Sequence, residues 1–97
     1  MPLNSRQKRQ LRGLTHQLHP VVMVADKGLN ENVMSEIETA LDHHELVKIK
    51  LRADRDTRKD WEARIERDCG AEKVHSIGQV ACFFRRNQKK PVIELVD

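Results

Sequence analysis

Two stretches of this 97-residue chain carry side chains suited to holding an anion. In Leu46-Val47-Lys48-Ile49-Lys50-Leu51-Arg52, apolar residues alternate with cations. A strand there turns Lys48, Lys50 and Arg52 to one face and Val47, Ile49 and Leu51 to the other. The second stretch is Val21-Val22-Met23-Val24, an apolar run of strand length that breaks at Ala25-Asp26-Lys27-Gly28. A helix start follows at once, with Asn30 as N-cap and Glu31 in the first turn. Such a turn brings backbone amides, a helix N-terminus and the Lys27 ammonium together, an arrangement that suits a phosphate.

Other chemistry finds little support. His43 and His44 are adjacent, so a helix turns them apart, and no His-x-x-x-His or Cys-x-x-Cys spacing occurs. There is no Walker loop, no Gly-x-Gly-x-x-Gly and no Ser-His-Asp or Cys-His context. The expectation is a non-enzyme without metal or cofactor. Cys69 and Cys82 read as two buried free thiols. The start, MPLNSRQKRQ, has no apolar run for an export signal, and nothing approaches bilayer-spanning length. A cytoplasmic protein without membrane contact is expected.

These residues must be positioned by one small domain, residues 1–97. Aromatics make up 3% of the chain, so its core must be aliphatic. Net charge is +3, from 18 bases and 15 acids, so the placement of charge matters more than its total. Helix one is expected over about Ser5 to Gln17, capped by Ser5, with Leu11, Leu14 and Leu18 on one face. Pro20 opens strand one. Helix two covers about Glu31 to Asp42, where Val33, Met34, Ile37, Ala40 and Leu41 form a core-facing stripe. Strand two covers Glu45 to Arg52. Helix three covers about Thr57 to Cys69, capped by Asp56 or Thr57 and stopped by Gly70. Lys73 to Ile77 and Val80 to Arg85 flank a Gly78-Gln79 hairpin turn. Pro91 to Val96 is either an edge strand or an irregular arm. The order α-β-α-β-α-β-β gives an α/β fold of the two-layer α+β kind. Right-handed crossovers put helices two and three on one face of a four-stranded mixed sheet.

Leu11-Arg12-Gly13-Leu14-Thr15-His16, Pro20-Val21-Val22, Gly28-Leu29-Asn30-Glu31-Asn32-Val33 and His44-Glu45-Leu46-Val47-Lys48-Ile49-Lys50 resemble the YhbY-like bacterial RNA-binding proteins. These are single-domain members of the CRM family, named for chloroplast RNA splicing and ribosome maturation. The resemblance implies a fold similar to the C-terminal domain of translation initiation factor three, preceded by an extra helix. It also implies association with large-subunit ribosomal precursors. Members of the family usually carry a Gly-x-x-Gly loop after strand one, held to be part of the RNA surface. This chain keeps Gly28 but has Ala25 at the first position, with Asp26 beside it. Ala25 is therefore expected within the strand at negative φ, and Gly28 alone in the left-handed turn.

Each candidate has a plainer reading. Lys8, Arg12 and His16 stack at i, i+4, i+8 on helix one with Arg9 beside them, which by pattern is a solvated face. The family resemblance favours RNA instead, because this helix leads straight to the loop. The cations of strand two equally fit protection of an exposed sheet edge. Arg85-Arg86 with Lys89-Lys90 fits a solvated tail. On helix three, acids and bases nearly cancel, so surface ion pairs are expected. Trp61 reads as core, and at least one of Phe83 and Phe84 does too.

The expected RNA-binding set is therefore Lys8, Arg9, Arg12, His16, Lys27, Gly28, Lys48, Lys50, Arg52, Arg85 and Arg86. The expected partner of this monomer is rRNA in large-subunit precursors. The alternatives are docking on a ribosomal protein through Glu31, Glu36, Glu38 and Asp42, and DNA binding as a nucleoid protein.

Overall fold

Asn4, rather than Ser5, caps the first helix of the computed structural model, which describes residues 2–97. Helix α1 spans Ser5–Thr15. The Asn4 side chain accepts from Gln7 N–H at 2.8 Å, and the Gln7 side chain accepts from Asn4 N–H. This reciprocal capping box satisfies two helix-end donors at once, which a cap at Ser5 would forgo. The helix ends two residues before Gln17, because Gln17 N–H and Leu18 N–H turn back to Leu14 and Thr15 oxygens ahead of Pro20.

Strand β1 (Pro20–Val24) leads through the Ala25–Asn30 loop into α2 (Glu31–His44), which Asn30 caps as expected. Helix α2 runs two residues past Asp42. It is stopped by Glu45 at φ 62°, a position where no glycine signals the end. Strand β2 (Leu46–Leu51) follows, then α3 (Arg55–Cys69), β3 (Glu72–Ile77) and β4 (Val80–Phe84). Asp54 caps α3 by accepting from Thr57 N–H at 2.8 Å. The start falls earlier than Asp56 because Arg52 N–H is anchored on Val24 and the chain turns at once. Gly70 stops α3 at φ 62°, as its sequence position suggested.

The strand order is β1-β2-β4-β3, with β1 parallel to β2 and the other pairs antiparallel. Helices α2 and α3 cover one face. There Ile37, Leu41 and Ile65 pack on Val22, Val24, Val47, Ile49, Leu51 and Phe83. Helix α1 lies on the opposite face, where Leu11 packs with Leu46, Val74, Cys82 and Phe84. Both phenylalanines are therefore buried, one on each side of the sheet, and neither is available to stack on a base. Cys69 and Cys82 are buried free thiols, as expected. Burial pushes the Cys69 thiol up to about 12, with Glu38 adding to the rise, so it stays protonated.

Residues beyond β4 form an irregular arm, not a strand, and one buried carboxylate organises it. Glu45 is fully buried. Its Oε1 accepts from Val92 N–H and Ile93 N–H at 2.9 and 2.7 Å, and its Oε2 from Asn87 N–H at 2.7 Å. Burial alone would raise this carboxyl group's pKa. The three backbone donors and the nearby Arg86 outweigh burial and hold it below its ordinary value. Gln7 and Gln10 of α1 bond the arm's backbone at Glu94 and Val96. Among the described residues no helix is long and apolar enough to cross a membrane.

Candidate nucleic-acid interface

Strand β2 lies inside the sheet between β1 and β4, so its cations do not guard an edge. Lys48 and Lys50 stand on the α1 side of the sheet, opposite Val47, Ile49 and Leu51, which are buried under α2 and α3. Helix α1 covers only part of its face. Two rows cross the sheet on this side, the first with Cys82 buried beneath α1 and the second left open. In one, Pro20, Lys48, Cys82 and His75 are successive partners. In the other, Met23, Lys50, Val80 and Ile77 are. Met23 is 52% exposed and Ile77 69%, so Lys50 rises from an open apolar strip. Apolar surface beside an ammonium group suits ribose and base edges, and the ammonium group suits a phosphate.

At the end of α1, the rings of His16 and His75 meet edge to face with centroids 6.3 Å apart. The imidazolium of His75 is disfavoured first by burial and then by the charges of Arg12, His16 and Lys48, so its pKa lies below the ordinary value. Arg12, His16 and Lys48 thus converge on one spot. His75 was not among the residues singled out by spacing, since its partners come from three other elements. A strand parity that aligns it with Lys48 was the only signal for it.

The same face continues to the loop. Arg52 N–H donates to Val24 oxygen at 2.8 Å, tying the end of β2 to the start of the Ala25–Asn30 turn. Gly28 N–H closes that turn onto Ala25 oxygen at 2.8 Å. Gly28 has φ 66°, whereas Ala25 keeps negative φ, as expected, although it lies just beyond the strand rather than in it. A Cβ at Gly28 would lie 3.7 Å from the Trp61 ring, so half-buried Trp61 supports the turn from below. Lys27 is exposed at the turn's tip.

Several expected contributors are drawn into the fold instead. Lys8 pairs with Glu72 at 3.2 Å. Arg9, by contrast, stays exposed beside the arm, near Arg6, Gln10 and Val96, with no ion pair among the described residues. Arg85 bonds Glu38 at 2.6 Å, Asp42 at 2.7 Å and Cys69 oxygen at 2.8 Å, and so clamps β4 to α2 and α3. Arg86 donates to Ile93 oxygen and sits 3.5 Å from Glu45. Arg85 and Arg86 are thus pins for α2 and the arm, on carboxylates distant in sequence. Two members of the acidic face of α2, Glu38 and Asp42, are occupied by the same clamp. On α3, Arg64 and Arg67 pair with Asp68, as the balance of charges implied.

Comparison with known proteins finds similarity in sequence and in fold. The family model described as the CRS1 / YhbY (CRM) domain matches residues 3–85. A Haemophilus influenzae protein named "RNA-binding protein" is 42% identical over 91 residues, covering 93% of this chain and 92% of the relative. "Probable RNA-binding protein PA4753" of Pseudomonas aeruginosa is 41% identical over 90 residues, covering 92% and 86%. The solution structure of a hypothetical protein from Staphylococcus aureus superposes with a TM-score of 0.83 at 29% identity, covering 98% of this chain and 100% of that one.

Proposed function

The chain belongs to the CRS1 / YhbY (CRM) domain family, and on that premise we propose that it is an RNA-binding protein of ribosome assembly, acting on rRNA in large-subunit precursors. It works by binding, with no chemical step. The observation that carries this reading is the row of ammonium groups on an interior strand. Lys48 and Lys50 have no carboxylate partner among the described residues, and Met23 and Ile77 lie exposed in the row of Lys50. A central strand needs no protection against edge pairing. Repelling cations two residues apart on the same strand therefore find their use in an external anion.

The binding surface runs from Arg12 and His16 over Lys48 and Lys50 to Arg52 and the Lys27-Gly28 turn. Phosphate contacts dominate, and base readout is slight because both phenylalanines are buried and no large aromatic side chain is exposed on this face. The protein acts as a cytoplasmic monomer. Docking on a ribosomal protein through α2 is the weaker reading, since Arg85 already occupies Glu38 and Asp42.

Sucrose-gradient sedimentation of the tagged protein at low and moderate salt tests the proposal. Co-sedimentation with large-subunit precursors at low salt, lost as salt rises, is the expected result. A protein found only at the top of the low-salt gradient overturns it. Equal affinity for rRNA fragments and duplex DNA would favour a nucleoid role instead.

A further inference from the structure

The cluster at the end of α1 has a property that the rest of the cationic face lacks: two of its members are imidazoles, which can take up a proton. Lys48, Cys82 and His75 stand opposite one another across β2, β4 and β3. Helix α1 crosses this row, with Thr15 buried upon it and the His16 ring set against His75. Arg12 precedes His16 by one helical turn.

No carboxylate balances the group. Helix α1, β2 and β4 contain no acidic residue, and β3 contains only Glu72, which is taken by Lys8 and by Leu3 N–H. The groups facing His75 are thus Arg12 and His16 from α1, Lys48 from β2 and the neutral thiol of Cys82 from β4.

We infer that Arg12, His16, Lys48 and His75 form a phosphodiester subsite in which anion binding is coupled to proton uptake by the two histidines. The inference rests on the RNA-binding reading above and adds its regulation by pH. Without an anion, partial burial and the neighbouring cations hold the His75 pKa below its ordinary value. A phosphate oxyanion among the four groups reverses the local field and favours imidazolium. The histidines then bind protons more tightly in the complex. By linkage, RNA binds more tightly as pH falls, and this gain is lost as pH rises through the histidine pKa of the complex.

The test measures affinity for a labelled single-stranded oligoribonucleotide at constant salt between about pH 5 and about pH 8. One pKa unit gained by one histidine corresponds to about a tenfold loss of affinity across that range. The His16→Gln, His75→Gln double variant should flatten the profile. The His43→Gln, His44→Gln variant, altered at the far end of α2, should keep it. Circular dichroism checks that each variant is folded. RNA binding with the same pH profile in both variants overturns the inference and leaves the RNA-binding reading standing. Absence of RNA binding at every pH overturns that reading. The subsite is then judged by inorganic phosphate, which should raise the titration midpoints of the His16 and His75 ring protons in NMR spectra. Unmoved midpoints overturn it.

Discussion

The salt dependence of RNA affinity can be worked from individual side chains. Arg12, Lys27, Lys48, Lys50 and Arg52 lie along the open face or its loop, and none forms an ion pair within the described residues. Lys8, Arg85 and Arg86 are excluded because each already has a carboxylate, and Arg9 because it lies at the arm beside Val96. Five free cations, each neutralising one phosphate of a single strand, give a slope of about −3.5 in log K against log[salt]. Affinity then falls about 100-fold between about 50 mM and about 200 mM salt. Replacing Lys48 and Lys50 by Gln removes two contacts, so the slope becomes about −2.1 and the loss only about 20-fold. Both side chains stand on the open face, so stability should be nearly unchanged. Replacing Arg64 and Arg67 by Gln should leave the slope alone, because that pair faces Asp68 on α3. Fluorescence anisotropy titrations of a labelled single-stranded RNA at four or more salt concentrations read these slopes. Equal loss of slope in the two double variants would mean that net charge drives binding, and the surface assigned above would be wrong.

Three further outcomes follow from the packing. Glu45→Gln should cost about 3 kcal/mol in urea denaturation, since a neutral amide cannot accept from three backbone donors and a guanidinium as the carboxylate does, and amide exchange at Val92 and Ile93 should speed up. Because the folded pKa of Glu45 lies below the ordinary 4.5, its contribution is full above that pH and is lost as pH falls through the lowered value; an arm released already at neutral pH would contradict this. Gly28→Val should lose about 1–2 kcal/mol through its positive φ and weaken RNA binding, whereas Ala25→Gly should cost little stability and leave affinity unchanged; equal effects from both would refute the account of the turn. Arg85→Gln should lower the melting temperature while leaving RNA affinity intact, and a loss of affinity in a folded variant would return Arg85 to the binding surface.

Local signals in the chain were enough for much of this fold. The apolar stripe of α2, the Asn30 cap, the Gly70 stop and the Gly78 turn each depend on residues within one or two helical turns of each other. The alternation in β2 likewise announced which side chains would share a face. What these signals left open was Lys48 and Lys50 as edge guards or as a binding row, because alternation says nothing of a strand's neighbours. That β2 lies between β1 and β4 removed the edge-guard reading.

Pairings across long stretches of chain had no such signature. Arg85 and Arg86 look like the start of a basic tail, yet their carboxylates lie on α2 and at its end, about forty residues away in sequence. Glu45 reads as a strand residue, and its role as the buried anchor of the arm exists only because β2, β4 and residues 87–93 meet around it. Phe84 is covered only because α1 and the arm fold back over that half of the sheet. His75 joins Arg12, His16 and Lys48 through strand register and helix docking. Short-range hydrogen bonding and side-chain periodicity determined the elements, the caps and the sign of the charged face. Which cations remained free for an anion was decided by tertiary packing, because a charge is neutralised by whatever the fold brings within a few ångströms of it, however distant in the chain.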